Sequence, residues 1–212
     1  MKSSWGYYEL SNKQFLSLAK EIGSIFGFDG LDAIVLHPNT TLEGFRHIDV
    51  LVGQKEDETV LATAGISSRK TRGLPLSEVF LKLKNNTQEM RDMCNILIKN
   101  VCMNTGEVPV KYECSLLNGY EYLFIDGKCE YHEKTGYHGV FVVPRTKTLV
   151  DGKEYLFYQI IPAYKEELMF LESHSLFGYK ELCKAIVERV SDRQYFDVKY
   201  DMLSEEELQK LL

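Results

Sequence analysis

Between Gly139 and Ala185 the chain reads GVFVVP, a polar stretch, then DGKEYLFYQIIPAYKEELMFLESHSLFGYKELCKA. The apolar runs at 139–143 and 155–161 are short and bounded by turn formers, which is a strand signature. Asp151-Gly152 stands directly before the second run. Glycine accepts positive φ there without a steric penalty, so a tight turn and antiparallel pairing are expected. Pro162 and Ala163 then lead into a helix with Glu166 and Glu167 in its first turn, where the helix dipole favours negative charge. A second helix follows, with Tyr179, Leu182, Cys183, Ile186, Val187 and Val190 on one face. Strands joined by tight turns and followed by helices point to α+β rather than a doubly wound α/β chain.

The rest of the chain extends that pattern. Ser11 and Gln14 have capping-box spacing. Phe15, Leu18, Ala19, Ile22 and Phe26 then share a helical face up to Gly27. Strand signals follow at 31–37, 45–52, 59–65 and 78–84, with a hairpin expected across the polar tip GQKEDE. In the 45–52 run, Ile48, Val50 and Val52 fall on one face, and His47, Asp49 and Leu51 on the other. The latter is expected to be the less buried face. The helix at 87–101 should be capped by Asn86 and Glu89 and present Met90, Met93, Cys94, Leu97, Ile98 and Val101. Residues 106–137 show no clear period beyond a turn at Asp126-Gly127. Ser204 and Glu207 can cap a last short helix, and the tail 204–212 is expected to be mobile. With no linker in sight, 1–212 reads as one domain with its core over about 10–200. Its sheet should be mixed but largely antiparallel, flanked by helices, and should hold strands 46–52, 59–64, 78–84, 139–143 and 155–161.

The 212 residues carry a formal charge of -6. That argues against non-specific nucleic-acid binding, which needs a basic footprint. The five cysteines are Cys94, Cys102, Cys114, Cys129 and Cys183. Their odd number and the lack of CxxC spacing read as reduced thiols of a cytoplasmic protein, with no disulfide. The start, MKSSWGYYELSNKQF, has no apolar signal core, and no run of ~18 apolar residues marks a membrane span.

Candidate sites are few. His47 and Asp49 are two apart on one strand, so a carboxylate can orient an imidazole for acid–base work. A structural polar pair is the favoured reading, because no nucleophile is placed beside them. Cys129, His132 and His138 have ligand types and spacing that suit zinc, but a fourth ligand is missing and no metal is expected. The basic loop Ser67–Arg72 lacks the glycine pattern of a P-loop. Tyr112, Tyr120, Tyr122, Tyr131 and Tyr137 sit where periodicity fails, and exposed tyrosines anchor protein interfaces. The acidic tip Glu56, Asp57 and Glu58 is a second candidate contact. No nucleotide, hydrolase or metalloprotease signature is present, and no cofactor is expected.

Three blocks of the chain resemble the suppressor of fused-like family. They are HIDVLVG at 47–53 followed by TVLATAGIS at 59–67; EVFLKLK at 78–84 with the helix after it; and GVFVVP at 139–144 with EYLFYQIIPAYKEELMFLESHS at 154–175. The third is the most specific, since Ile161-Pro162 followed at fixed distance by Tyr164 and Glu166-Glu167-Leu168 is an unusual string. Two departures stand out. The stretch Glu113–Gly119 lacks the histidine many bacterial members carry there, and the middle helix lacks a tryptophan, the only one being Trp5.

The resemblance implies an α+β domain that binds proteins and does no chemistry. Animal members restrain a transcription factor. Bacterial members are similar to immunity proteins that neutralise a cognate toxin by stoichiometric binding, and a chain of this length fits that role. An acidic protein gains association rate against a basic toxin by steering. Two other readings stay open. One is a small hydrolase or metal-dependent enzyme using His47/Asp49 or Cys129/His132/His138. The other is a regulatory module that captures a peptide by strand addition.

Overall fold

A computed structural model of the chain describes residues 11–28, 32–36, 48–55, 57–65, 76–85, 87–94, 97–98, 119–125, 130–174 and 178–212, with backbone alone at 32–36, 48–49 and 130–131. In order, the elements are α1 (Asn12–Phe26), β1 (Asp32–Leu36), β2 (Ile48–Lys55), β3 (Glu58–Ala64) and β4 (Leu76–Leu83). Then come α2, helical at 88–94 and 97–98, and β5 (Glu121–Phe124), α3 (Glu130–Thr135), β6 (Gly139–Val150) and β7 (Lys153–Ala163). The helices α4 (Lys165–Ser173), α5 (Tyr179–Arg189) and α6 (Glu205–Gln209) finish the chain.

The strands form one sheet in the order β1-β2-β3-β4-β7-β6-β5. Pairing is antiparallel within β1–β4 and within β5–β7. The two halves meet through one parallel contact, in which Leu76–Phe80 of β4 lies against Tyr155–Gln159 of β7. All five expected strands belong to this sheet, and the architecture is the mixed α+β one read from the sequence.

Both faces of the sheet are covered. On one, Val50, Leu61, Val79, Leu81, Val142 and Ile160 pack with Cys94, Leu97 and Ile98 of α2. On the other, Leu18 and Ile22 of α1 cover the β2–β4 half. There α4, α5 and α6 cover Phe141, Val143 and Ile161 of the β6–β7 half. Leu51 is therefore only 2% exposed. The face of β2 expected to be less buried is in fact roofed by α1, so strict alternation in 45–52 did not mark a solvated side.

Local chemistry explains most element ends. Ser11 Oγ accepts from Gln14 N–H at 3.3 Å, and Gln14 Oε1 accepts from Ser11 N–H at 3.0 Å, the reciprocal cap expected. Gly27, at φ 71°, closes α1 in the left-handed region. At α2 the capping side chain is Thr87, whose hydroxyl oxygen accepts from Met90 N–H at 3.2 Å. The expected cap, Asn86, lies outside the described residues.

Two boundaries moved for physical reasons. The strand expected to end at Val143 continues through Pro144 to Val150. A register irregularity between Pro144 and Thr146 takes up the proline, since a bulge tolerates a missing N–H. Pro162 is not the start of a helix. It pairs with Val140 inside β7, past the point where β4 stops running alongside at Gln159. The helix begins at Lys165, with Tyr164 at the N-cap position donating its N–H to Glu167 Oε2. Beyond these, β5 and α3 emerge from the stretch without period. Ser204 caps α6 through Glu207 N–H, and Leu208 is buried.

Candidate protein-binding surface

Among the described residues of the tyrosine-rich region, Tyr122 lies on end strand β5 and Tyr120 directly before it. Tyr120, Tyr122 and Phe124 are half-buried and lean on the cluster formed with α4 and α5. The Tyr122 ring meets Phe124 and Tyr179 edge-on, both at 6.3 Å between centroids. Burial pushes the Tyr122 hydroxyl above its ordinary pKa, and nearby Glu172 adds to this. The half-buried rings of Tyr122 and Phe124 on β5 and Tyr179 on α5 thus form an edge-on cluster at the end of the sheet.

Glu121 anchors that strand. Its carboxylate is buried and accepts from the Tyr179 hydroxyl at 3.1 Å, and Lys180 Nζ lies 3.3 Å away. Desolvation raises its pKa, opposed by Lys180 and the Tyr179 bond. The Cys183 thiol donates to Glu121 O at 3.6 Å and is itself pushed up to about 12 by burial.

Tyr137 belongs to the core instead. It is 1% exposed, and its hydroxyl donates to Val198 O at 2.9 Å and accepts from Tyr200 N–H at 3.1 Å. Burial raises its pKa. Its place as a partner contact is therefore corrected: it was read as exposed because its neighbours lack a period, and the residues that cover it lie some sixty positions later. Tyr112, Glu56, His47 and the side chains of Tyr131 and Asp49 lie outside the described residues. The backbone of Asp49 stands between Val35 and Ala64.

The acidic tip is internally paired. Asp57 bridges to Lys84, which holds its carboxyl below the usual range. Glu58 takes Lys82 at 3.0 Å and the Tyr195 hydroxyl at 2.8 Å, and that bond pushes Tyr195 up to about 12. The His132 and His138 rings meet edge-on at 4.7 Å. Burial, then His132, lowers the His138 pKa. Cys129 lies outside the described residues, and among those residues no group of three or more His, Cys, Asp or Glu is arranged to hold a metal.

Two buried polar clusters went unread in the sequence. In the first, Glu167 and Arg193 pair in the core, and Glu167 Oε1 also accepts from Leu203 N–H at 3.1 Å while Oε2 accepts from Tyr164 N–H at 3.0 Å. The Tyr164 hydroxyl donates to Tyr200 O at 2.7 Å. Together they pin residues 193–203 across the sheet, where Tyr195 bridges to Lys82 of β4 and Phe196 is buried. In the second, ladder pairing of β3 and β4 ends at Ala62 and Phe80. Side chains take over: buried Glu78 accepts from the Thr63 hydroxyl at 2.6 Å and from Gly65 N–H at 2.9 Å. Tyr164 and Glu167 stood in an unusual string, which was the available signal. Arg193 had none.

No family model matches the sequence. No curated protein matches it either. Solved structures do. A suppressor of fused homologue from Neisseria gonorrhoeae superposes with a TM-score of 0.63 at 11% identity, covering 92% of this chain and 100% of that one. Drosophila Suppressor of Fused gives 0.61 at 11% identity, and this chain spans 56% of its length. The structure of a Sufu–Fu complex gives 0.54, with 93% of each chain covered. This chain has the suppressor of fused-like fold.

The strings that resembled the suppressor of fused-like family prove to be architectural where they are described. A Cβ on Gly139 would stand 2.3 Å from Leu123 O and 2.4 Å from a Leu168 methyl, so only glycine lets β5 and α4 approach β6 this closely. Gly53 likewise lies under the Phe28 ring, 2.1 Å from where its Cβ would be. Tyr164 and Glu167 fasten the C-terminal segment. Such residues specify the suppressor of fused-like fold without naming a ligand.

Proposed function

We propose that this chain is a non-catalytic protein-binding domain of the immunity type, which neutralises a cognate toxin in the cytoplasm by one-to-one binding. The observation that carries the reading is the pair of rings Tyr122 and Phe124 on end strand β5, braced by Tyr179, with half-buried Tyr120 directly before the strand. Half-exposed aromatic rings of fixed geometry lose little entropy on binding and are favoured interface anchors. The fold supports it: its relatives include one solved as the Sufu–Fu complex. The net charge of -6 suits a basic target. The tip at Asp57 and Glu58 contributes less, because its carboxylates already face Lys84, Lys82 and Tyr195.

Strand addition is a second reading, favoured by the position of β5 at the end of the sheet. The test is titration against the toxin encoded next to this gene, with amide exchange on the complex. Protection from toxicity should saturate near equimolar ratio, and residues 119–124 should slow in exchange. Protection by a small fraction of an equivalent, with a covalently changed toxin or product, would make the chain an enzyme.

A further inference from the structure

Glu121 is a buried carboxylate held by long contacts. It is 6% exposed, on a strand whose other three residues are half-buried. The Tyr179 hydroxyl reaches Oε2 at 3.1 Å and Oε1 at 3.3 Å, and Lys180 Nζ stands 3.3 Å from Oε1. Glu167 shows what a well-compensated carboxylate looks like in the same protein. Arg193 grips both of its oxygens at 2.7 Å, and the N–H groups of Tyr164 and Leu203 add bonds at 3.0 and 3.1 Å. Charge-assisted bonds are strong at about 2.7–2.9 Å. Each of these contacts to Glu121 is longer than that, and desolvation outweighs them in setting its pKa.

The cation beside Glu121 is Lys180. Its stem passes Gly119, where an added Cβ would meet Lys180 Cδ at 3.9 Å, and its ammonium lies 5.9 Å from the Tyr179 ring centre. The Lys180 side chain is 36% exposed and flexible, so it can swing away from the carboxylate. A carboxylate floor, an aromatic wall and a seated ammonium are the parts of a cation site. A guanidinium fits such a site better than an ammonium, because its planar fork can take both carboxylate oxygens while its face stacks on a ring. The Tyr122 ring, edge-on to Tyr179, adds aromatic surface, and exposed Glu172 adds negative charge near the Tyr122 hydroxyl. Desolvated arginines are frequent hot spots of protein interfaces.

We propose that Glu121 is the floor of an arginine-binding pocket between β5 and α5, closed by Lys180 in the free protein and filled by an arginine side chain of the protein partner. This rests on the protein-binding reading and names the chemistry that the partner must present.

The experiment titrates wild type, Lys180→Ala, Lys180→Ser and the double variant Lys180→Ala with Glu121→Gln. The probes are N-acetyl-arginine amide and its uncharged counterpart N-acetyl-citrulline amide, at about pH 8, where the raised carboxyl is more fully ionised. The Tyr122 and Tyr179 ring signals and the Glu121 carboxylate carbon are followed by NMR. Lys180→Ala should bind the arginine probe about tenfold or more tightly than wild type, because a tethered competitor has gone. Lys180→Ser should do the same, which keeps the test decisive if one variant folds poorly. The citrulline probe should leave Glu121 unmoved, and Glu121→Gln should erase the arginine response. Equal affinity for the two probes overturns the proposal. So does binding that survives Glu121→Gln, or folded Lys180 variants that bind no better than wild type. No toxin enters this titration, so the pocket and the one-to-one neutralisation can each fail alone.

Discussion

Arg193 and Glu167 form a fully buried two-pronged ion pair, with Nη1 to Oε2 and Nη2 to Oε1 both at 2.7 Å and exposures of 1% and 0%. Asp201 O takes a further Arg193 bond at 2.5 Å, and the guanidinium lies 5.2 Å from the Tyr164 ring centre. Removing one partner strands a charge in the core. Glu167→Gln or Arg193→Met should each cost about 3–5 kcal/mol by denaturant unfolding. Residues 193–203 should lose exchange protection before the sheet does. A loss under about 1 kcal/mol in both variants would show the pair to be dispensable.

Gly139→Ala should detach β5. The added carbon meets backbone at Leu123 O, which cannot rotate away as a side chain can. Overpacking of this kind costs about 1–3 kcal/mol. Amides of 121–124 should exchange faster in the variant, while those of 58–64 keep their rates.

Leu97→Ala removes a buried side chain at the centre of the α2 contact with the sheet. A cost of about 2–5 kcal/mol is expected, set by how far the cavity collapses. Urea midpoints read it directly, and a neutral result would mean that α2 is not docked as described.

Glu121 makes a pH prediction. Burial raises its folded-state pKa above the ordinary 4.5. In the window between the two values the folded state binds more protons than the unfolded one, so stability falls as pH rises through it. Below the window the penalty is absent, and above it the penalty is complete. Glu121→Gln keeps hydrogen-bonding capacity and removes the charge. It should flatten this part of the stability–pH profile and be neutral or stabilising at pH 7. A variant less stable than wild type at pH 7 but equal at acid pH would show that the Lys180 contact outweighs desolvation.

Cys94 and Cys183 are buried, and burial raises both thiol pKa values, that of Cys183 to about 12. Neither should react with a disulfide reagent in the native protein at neutral pH, because the thiolate is the nucleophile. All five thiols should react after unfolding without reductant. Purified protein should also hold less than one equivalent of zinc. A missing thiol, or zinc bound one-to-one and lost on Cys129→Ala, would contradict this.

Much of this architecture is written locally. The Ser11–Gln14 box, the turn at Asp151-Gly152 and the short strand runs at 59–64 and 155–161 each need only near neighbours in the chain. Short-range sterics and hydrogen bonding therefore make them legible. The resemblance of GVFVVP and IIPAYKEEL pointed to the right fold, because those residues are where strands and helices touch most closely.

What the order of residues left open depends on partners far along the chain. Nothing near Arg193 announces that it will be buried against Glu167, and nothing near Tyr137 says that Val198 and Tyr200 will cover it. The parallel contact between β4 and β7 and the roofing of Leu51 by α1 are likewise products of long-range packing. Local propensity set which segments became strands and helices. Burial of both sheet faces, which exists only once all the elements are assembled, decided which polar groups became structural and which aromatic rings stayed half exposed.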